Sequence, residues 1–559
     1  MDAAVRKSTS TSAEGSALVT FGVAVAVVVG CGVLSVWVAG QLTALVTSGR
    51  WLDVSMSETG EVFWRLLHDP SDTVKAWPRR LRPHTAGPRV FYPILLLSLG
   101  LLAGLGRWVW RVLQPADRSG PRSSGWATRR DLGSLLVSRA TRGRLVLGRS
   151  GSRLVAAESR QSLIVLGPTQ SMKTSGLAIP AILEWDGPVI ATSVKTDLIK
   201  NTLEARRERG RVWIYDPTSC SGEAGARWSP LQHCHEWQGA QRVTSWMSGA
   251  ARSDGIGLGN SEFWFASAAK FLAPLTFAAA KSNRAMTDVV RWVNTYEEAE
   301  VLEALIAAGV QPAIDSATAS FKREGRQRSS IYTTGEMVLA AYEDPVVAES
   351  AEGSDIDPDR FLDGSSGTLF VVAPSHEQQR LRPLFETLLH SVLTRAFEIA
   401  AREGPLDPPL LVVLDEAANI APLRNLDQLA STAAGHGIQL VSVFQDLAQI
   451  ASRYGERAQT VVNNHRAKVV LSGISDTMTL EYASRLLGDE DVMQASITQS
   501  ARGGRSTTES PATRSLAPAH ALRGIKPGEG VLVYGHLPPA RLQLRPWFAD
   551  KGLRALARP

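Results

Sequence analysis

"IVLGPTQSMKTSGLAIPAIL", Ile164 to Leu183, is the stretch on which the fold turns. The apolar run "SLIVLG" predicts a short buried strand ending in glycine. "KTSGLAIPAILEW" then carries apolar residues at helical spacing, weakened by Gly176 and Pro180. Strand, turn and helix in that order are the context of a phosphate-binding loop, G-x-x-x-x-G-K-[ST]. Gly167 opens the pattern and Lys173-Thr174 closes it, but Met172 stands where the second glycine belongs.

In this geometry Gly167, Pro168, Thr169, Gln170, Ser171 and Met172 form the turn, and Lys173, Thr174 and Ser175 begin the helix. Backbone N–H groups and the helix N-terminus favour anions there. Lys173 is expected to neutralise the β/γ oxygens of ATP, and Thr174 to ligate Mg2+. Glycine is used where backbone must approach a ligand closely, so a side chain at 172 can crowd the phosphates. Methionine is flexible enough to swing away. The expectation is therefore that binding survives with lowered turnover.

A phosphate loop needs a partner acid. "PLLVVLDEAANI", Pro409 to Ile420, is a continuous apolar strand ending in adjacent carboxylates. Such runs suit parallel strands covered on both faces. Asp415 is expected to hold Mg2+, and Glu416 to orient and deprotonate the attacking water. In "IQLVSVFQDLAQI", Gln445 follows another apolar run. Ligands in open α/β sheets collect at strand carboxyl ends, so Gln445 is expected to sense the γ-phosphate. "GPVIATSV", "RVWIYDP", "GTLFVVAPS" and "RAKVVLSG" add further strands. Alternating strands and helices predict an α/β fold with a mostly parallel, doubly wound sheet. The long interval between loop and acids reads as helical, so an all-α domain (235–345) is expected between two parts of the nucleotide domain (112–234 and 346–559).

Upstream, Ala17 to Val46 contains no charge, and Val90 to Trp110 is a second apolar run. Each is long enough to cross a bilayer, which takes about 20 residues. Trp108 and Trp110 are placed as interfacial anchors. Residues 1–111 are thus expected to be a two-helix transmembrane anchor with an extracytoplasmic loop (47–89). Arg107 at the end of the second span, with Arg111, Arg118, Arg122, Arg129 and Arg130 after it, favours a cytoplasmic body, although Lys75, Arg79, Arg80 and Arg82 lie in the loop. "QPADRSGPRSSGWATRRD" reads as a linker, and Thr498 to Ser515 as a flexible exposed loop.

Composition agrees with a folded chain: of 559 residues, 44% are hydrophobic and 20% charged. A net charge of +6 is compatible with nucleic acid or an anionic membrane without selecting either. Three cysteines exclude a disulfide framework. Cys220, Cys234, His233 and His235 follow no familiar zinc spacing. Lys322 to Arg328, "KREGRQR", is the best local basic cluster for DNA contact, and a solvated helix face explains it equally well.

These pieces together resemble the type IV coupling proteins, the TraG/TraD-type membrane ATPases of conjugation, most of all their actinobacterial branch. "GWATRRDLGSLL", "GRLVLGR", "VLDEAANIAPL", the segment Gly437 to Gly473 and the closing segment Leu522 to Phe548 carry the likeness. The resemblance implies a RecA-like P-loop NTPase motor domain with an inserted all-α domain on a membrane anchor. It implies a homo-hexamer in the bacterial cell membrane that couples single-stranded DNA and relaxase to type IV secretion channel proteins and drives transfer with ATP. Some relatives carry an arginine finger before the glutamine strand; here Ala434 stands near that position, leaving Arg328, Arg424, Arg453 and Arg466 as candidates. The rival readings are an FtsK-like or type VII secretion translocase, and a hydrolysis-poor membrane receptor for secretion substrates.

Overall fold

The structure is a computed structural model describing residues 29–113, 125–252, 261–419, 423–499 and 505–557. It divides into two compact units, Met1–Arg122 and Ser123–Pro559.

In the first unit, apolar helices run over Val29–Ser48 and Pro88–Leu113. Residues 17–28 of the first expected span and the side chains of Trp108 and Trp110 lie outside the described set. The expected loop 47–89 is itself folded. Its helix Met56–His68 starts with a reciprocal cap: Ser55 Oγ accepts from the Glu58 amide, and Glu58 accepts from the Ser55 amide. Such caps satisfy amides that helix geometry leaves over. Trp77 is fully buried beside Val36, Val62 and Phe91. Its ring lies against Gly40, where any Cβ would collide with it, so the first helix needs glycine there. Gln41 ties the region together by exchanging two 2.9 Å hydrogen bonds with the backbone of Leu52.

The second unit is built on a mixed sheet. Its strands are β1 (Leu136–Val137), β2 (Val146–Ser150), β3 (Arg153–Ala156), β4 (Leu163–Leu166), β5 (Val189–Ser193), β6 (Val212–Tyr215), β7 (Thr368–Val372), β8 (Leu410–Leu414), β9 (Ile438–Phe444) and β10 (Ala467–Leu471). After a separate ribbon of β11 (Asp489–Gln499) and β12 (Arg505–Ser515), β13 (Glu529–Tyr534) and β14 (Ala540–Gln543) complete it. The order is β1-β3-β2-β14-β13-β10-β4-β9-β8-β5-β7-β6. From β10 to β6 all pairings are parallel; from β13 to β1 all are antiparallel. The parallel strands are those the apolar runs predict. They are buried on both faces, where apolar layers of helices cover them. The antiparallel margin departs from a purely doubly wound sheet: β2–β3 and β13–β14 are antiparallel pairs of consecutive strands, and the long-range pairings of β14 with β2 and of β13 with β10 bring them onto the parallel strands.

Helices from Trp237–Ala251 to Pro358–Phe361 intervene between β6 and β7. At their centre lies Ser261–Lys281. Glu262–Lys281 is long and apolar enough to cross a membrane, but 61% of it is buried inside the protein. It is a core helix, covered by Phe271–Tyr332 and Trp237–Phe277 ring contacts.

One expectation is overturned. Residues 498–515 are not a loop: apart from 500–504, outside the described set, they form one end of β11 and all of β12. Serine, glycine and arginine masked the β-branched residues Ile497, Thr507, Thr508 and Thr513, which favour extended backbone.

The chain end is fastened to the helix of the phosphate-loop region. Arg545, buried, donates from Nη1 and Nη2 to the two carboxylate oxygens of Glu184 at 2.9 Å each, and from Nε to Asp550 at 3.0 Å. Burial alone would raise the Asp550 pKa, but hydrogen bonds from Arg149 and Arg545 outweigh it and hold the carboxyl at about 2. A carboxylate with a depressed folded pKa contributes stability above its unfolded pKa and loses it as pH falls through the folded value. Wild type is therefore expected to lose stability between about pH 4 and pH 2, by an amount that Asp550→Asn lacks. Denaturant unfolding across that range checks it; parallel curves would reject the clamp.

Candidate nucleotide site

Strand register decides which residues meet. Leu166 of β4 pairs with Phe444 of β9, Leu414 of β8 with Ser442 of β9, and Thr192 of β5 with Leu414. The carboxyl ends of β4, β9, β8 and β5 thus lie on one edge; Gly167, Gln445 and Asp415 begin the loops that leave β4, β9 and β8, and Lys195 is the second residue after β5. The Gly167 amide donates to Phe444 O at 3.1 Å, and the Asp415 amide to Thr192 O at 3.2 Å.

From Gly167 the chain turns tightly. Both the amide and the hydroxyl of Ser171 donate to Pro168 O, at 3.3 and 2.8 Å. A Cβ on Gly167 would sit 2.6 Å from Ser171 Oγ, so the turn requires glycine. Gln170 and Met172 have left-handed backbone, φ 66° and 65°. Met172 therefore takes up the conformation for which glycine is normally kept, at a cost of roughly 1–2 kcal/mol. Its sulfur lies beside Gly528, and the half-buried side chain packs against the apolar layer that includes Leu177, Leu471 and Leu544.

The helix then opens with a widened turn, Thr174–Ala178, in which Ile179 N–H bonds back to Thr174 O. Pro180 next to it has no N–H to offer the regular ladder, a local reason for the irregularity.

Lys173 is 6% exposed, and its Nζ donates to Gly167 O at 3.2 Å. Burial lowers its pKa, against the opposing pull of Glu416 and Asp415, while Lys195 adds to the lowering. Thr174 Oγ1 donates to Asp415 Oδ2 at 3.0 Å. Asp415 is 5% exposed, and burial pushes its pKa up to about 6, moderated by the Thr174 hydroxyl and the charge of Lys173. Glu416 has φ 59°, and its Oε2 accepts from Asn419 Nδ2 at 3.1 Å.

Thr169, Lys173, Thr174, Lys195, Asp415 and Glu416 line one cavity of about 360 Å³. A buried ammonium, a hydroxyl already on a buried carboxylate, and a turn lined by amides suit a phosphate chain with Mg2+. Gln445 is brought beside Gly167 by the sheet, but it does not line this cavity; its amide donates to Gln449 Oε1 at 2.9 Å.

A family model for "Type IV secretory system Conjugative DNA transfer" matches residues 121–558. The chain belongs to that family. Among curated relatives, conjugal transfer protein TraG of Escherichia coli is 25% identical over 378 residues, 61% of this chain and 57% of that one. Protein VirD4 of Agrobacterium fabrum is 24% identical over 440 residues, 73% of this chain and 61% of that one. The chain thus spans less than two thirds of the length of these relatives. Among solved structures, the coupling protein TrwBdeltaN70 in its unbound form superposes with TM-score 0.60 at 18% identity, covering 77% of this chain and 94% of that one. TrwB in complex with ADP and Mg2+ gives 0.57 at 18% identity, covering 77% and 96%. The likeness shows the fold, a RecA-like α/β NTPase with a helical insert.

In this member of the family, the arginine candidates have occupations of their own. Arg328 bonds Glu298 and lies over the rings of Tyr296 and Tyr332. Arg424 donates to Gly249 O, Arg453 meets Glu386 in the interior, and Arg466 bridges to Glu158. Cys234 is buried, with its thiol pKa pushed up to about 12 by burial, and His233 is held at about 4 by burial first. Among the described residues no three metal-ligating side chains converge.

Lys195 and Asp197, which follow the strand "GPVIATSV", also line the cavity, as do Asn201 and Trp547. The strand-end rule that singled out Asp415 applies equally to Lys195. Trp547 had no local signal.

Met172→Gly relieves left-handed strain but removes the contact beside Gly528. The two effects are of similar size, so stability is expected to change by less than about 1 kcal/mol. Turnover is expected to hold or rise. A large loss in steady-state rate would mean that the loop is built around the methionine side chain.

Proposed function

We propose that this chain is a membrane-anchored, ATP-hydrolysing coupling protein that delivers single-stranded DNA with its relaxase to a type IV secretion channel. The observation that carries the reading is the Thr174–Asp415 hydrogen bond beside buried Lys173, within a chain of the conjugative transfer family. ATP with Mg2+ supplies the phosphoryl-transfer chemistry. Gly167, Pro168, Thr169, Gln170, Ser171, Met172 and Ser175 hold the phosphate chain, and Lys173 neutralises it. Thr174 and Asp415 hold Mg2+. Glu416 takes the proton from the attacking water, and Gln445 reports the state of the terminal phosphate. The division into anchor (1–111), motor (112–234 and 346–559) and helical insert (235–345) goes with this reading, as do two membrane crossings, a cytoplasmic motor and a homo-hexamer.

The hydrolysis-poor receptor reading rests on Met172. Its glycine-like φ and its sulfur beside Gly528 favour a working loop instead.

DNA is tested directly. Lys322 and Arg326 are exposed on the helical insert. Backbone binding releases counterions, so affinity for single-stranded DNA is expected to fall about tenfold or more between 50 and 200 mM salt. Fluorescence anisotropy with a labelled oligonucleotide measures it; a flat response removes DNA from the reading.

A further inference from the structure

The segment after β14 does more than close the sheet. Leu544 packs where a Cβ on Gly176 would lie 3.1 Å away, and its amide donates to Gly528 O at 2.7 Å. Arg545 holds Glu184 at the far end of the same helical segment through two 2.9 Å bonds. The Trp547 amide donates to Ser175 O at 3.0 Å. The segment is therefore fixed both at Ser175, the residue after the Mg2+-side threonine, and at Glu184.

This fixing sets the Trp547 indole, half-buried, into the wall of the nucleotide cavity together with Ser175 and Ile179. Phe548 supports it edge-on, ring centroids 6.0 Å apart. Phosphate chemistry has no use for an aromatic ring at this place. A phosphate chain seated on Lys173 and Thr174 leads past Ser175, so the group carried at its other end comes to this wall. Asn201 also lines the cavity, but its amide nitrogen is already bonded to Asp197 O at 2.7 Å.

We propose that Trp547 is the nucleobase platform of the site: the base of a bound nucleoside di- or triphosphate stacks on the indole face. Stacking on an aromatic side chain is sequence-tolerant because every base has a π-face. The proposal rests on the nucleotide reading above and assigns it a base-binding residue far from the phosphate loop in sequence.

The test measures binding of Mg2+–ADP and of Mg2+–tripolyphosphate, which has no base, to the full-length chain in detergent by calorimetry. Trp547→Ala is expected to weaken ADP about tenfold to a hundredfold. It should leave tripolyphosphate unchanged, and Trp547→Phe should restore most ADP affinity. Equal ADP affinity in wild type and Trp547→Ala overturns the proposal, and so does an equal loss of both ligands, which a merely structural role would give. If Trp547→Ala does not fold, Trp547→Leu, which keeps bulk without a π-face, carries the same expectations. Failure of the nucleotide reading looks different: wild type then binds neither ligand.

Discussion

Lys173→Ala is expected to abolish ATP hydrolysis and to weaken Mg2+–nucleotide binding by about a hundredfold, because truncating one partner of a buried charge pair costs several kcal/mol. The ammonium is 6% exposed, and burial already lowers its pKa. A buried cation of this kind gains most from an anion that shares its low-dielectric surroundings. Its removal also takes away a positive charge that interacts with both Asp415 and Glu416. Steady-state phosphate release and calorimetry on matched preparations check both halves. Equal hydrolysis in wild type and variant would sink the enzyme reading, whatever the family.

Glu416→Gln is expected to separate binding from chemistry. Glutamine keeps the size of the side chain and an oxygen for the 3.1 Å bond from Asn419, but it is no longer a base. Nucleotide affinity should stay close to wild type, while turnover falls about a hundredfold to ten-thousandfold, the usual worth of general base catalysis. A variant that hydrolyses normally would move the base to another group. Together with Lys173→Ala, this variant distinguishes a motor from an ATP-binding gate: a gate would show the Lys173 effect on binding but negligible hydrolysis already in wild type.

The phosphate loop, the acidic strand and the parallel half of the sheet were legible because each is a local pattern. An apolar run of four or five residues ending in glycine or aspartate reports burial on both faces and a loop at its carboxyl end, whatever strand lies beside it. Asp415 could be linked with Thr174 by that logic, and the structure brings them to 3.0 Å. The β11–β12 ribbon was not legible, because composition reports polarity and not pairing. Its strands are matched from Asp489↔Ser515 to Gln499↔Arg505, a register that no single-strand pattern encodes.

By itself, then, the sequence determined the parallel strands, the candidate residues at their carboxyl ends, and the family resemblance in which they occur. Tertiary structure alone decided the conformation of Met172, the antiparallel margin, and the placing of Trp547 beside Ser175. The reason is physical: periodicity records which side of an element is buried, whereas these features depend on what buries it. Glu184 and Arg545 are hundreds of residues apart, and only the folded chain sets their charges 2.9 Å from each other.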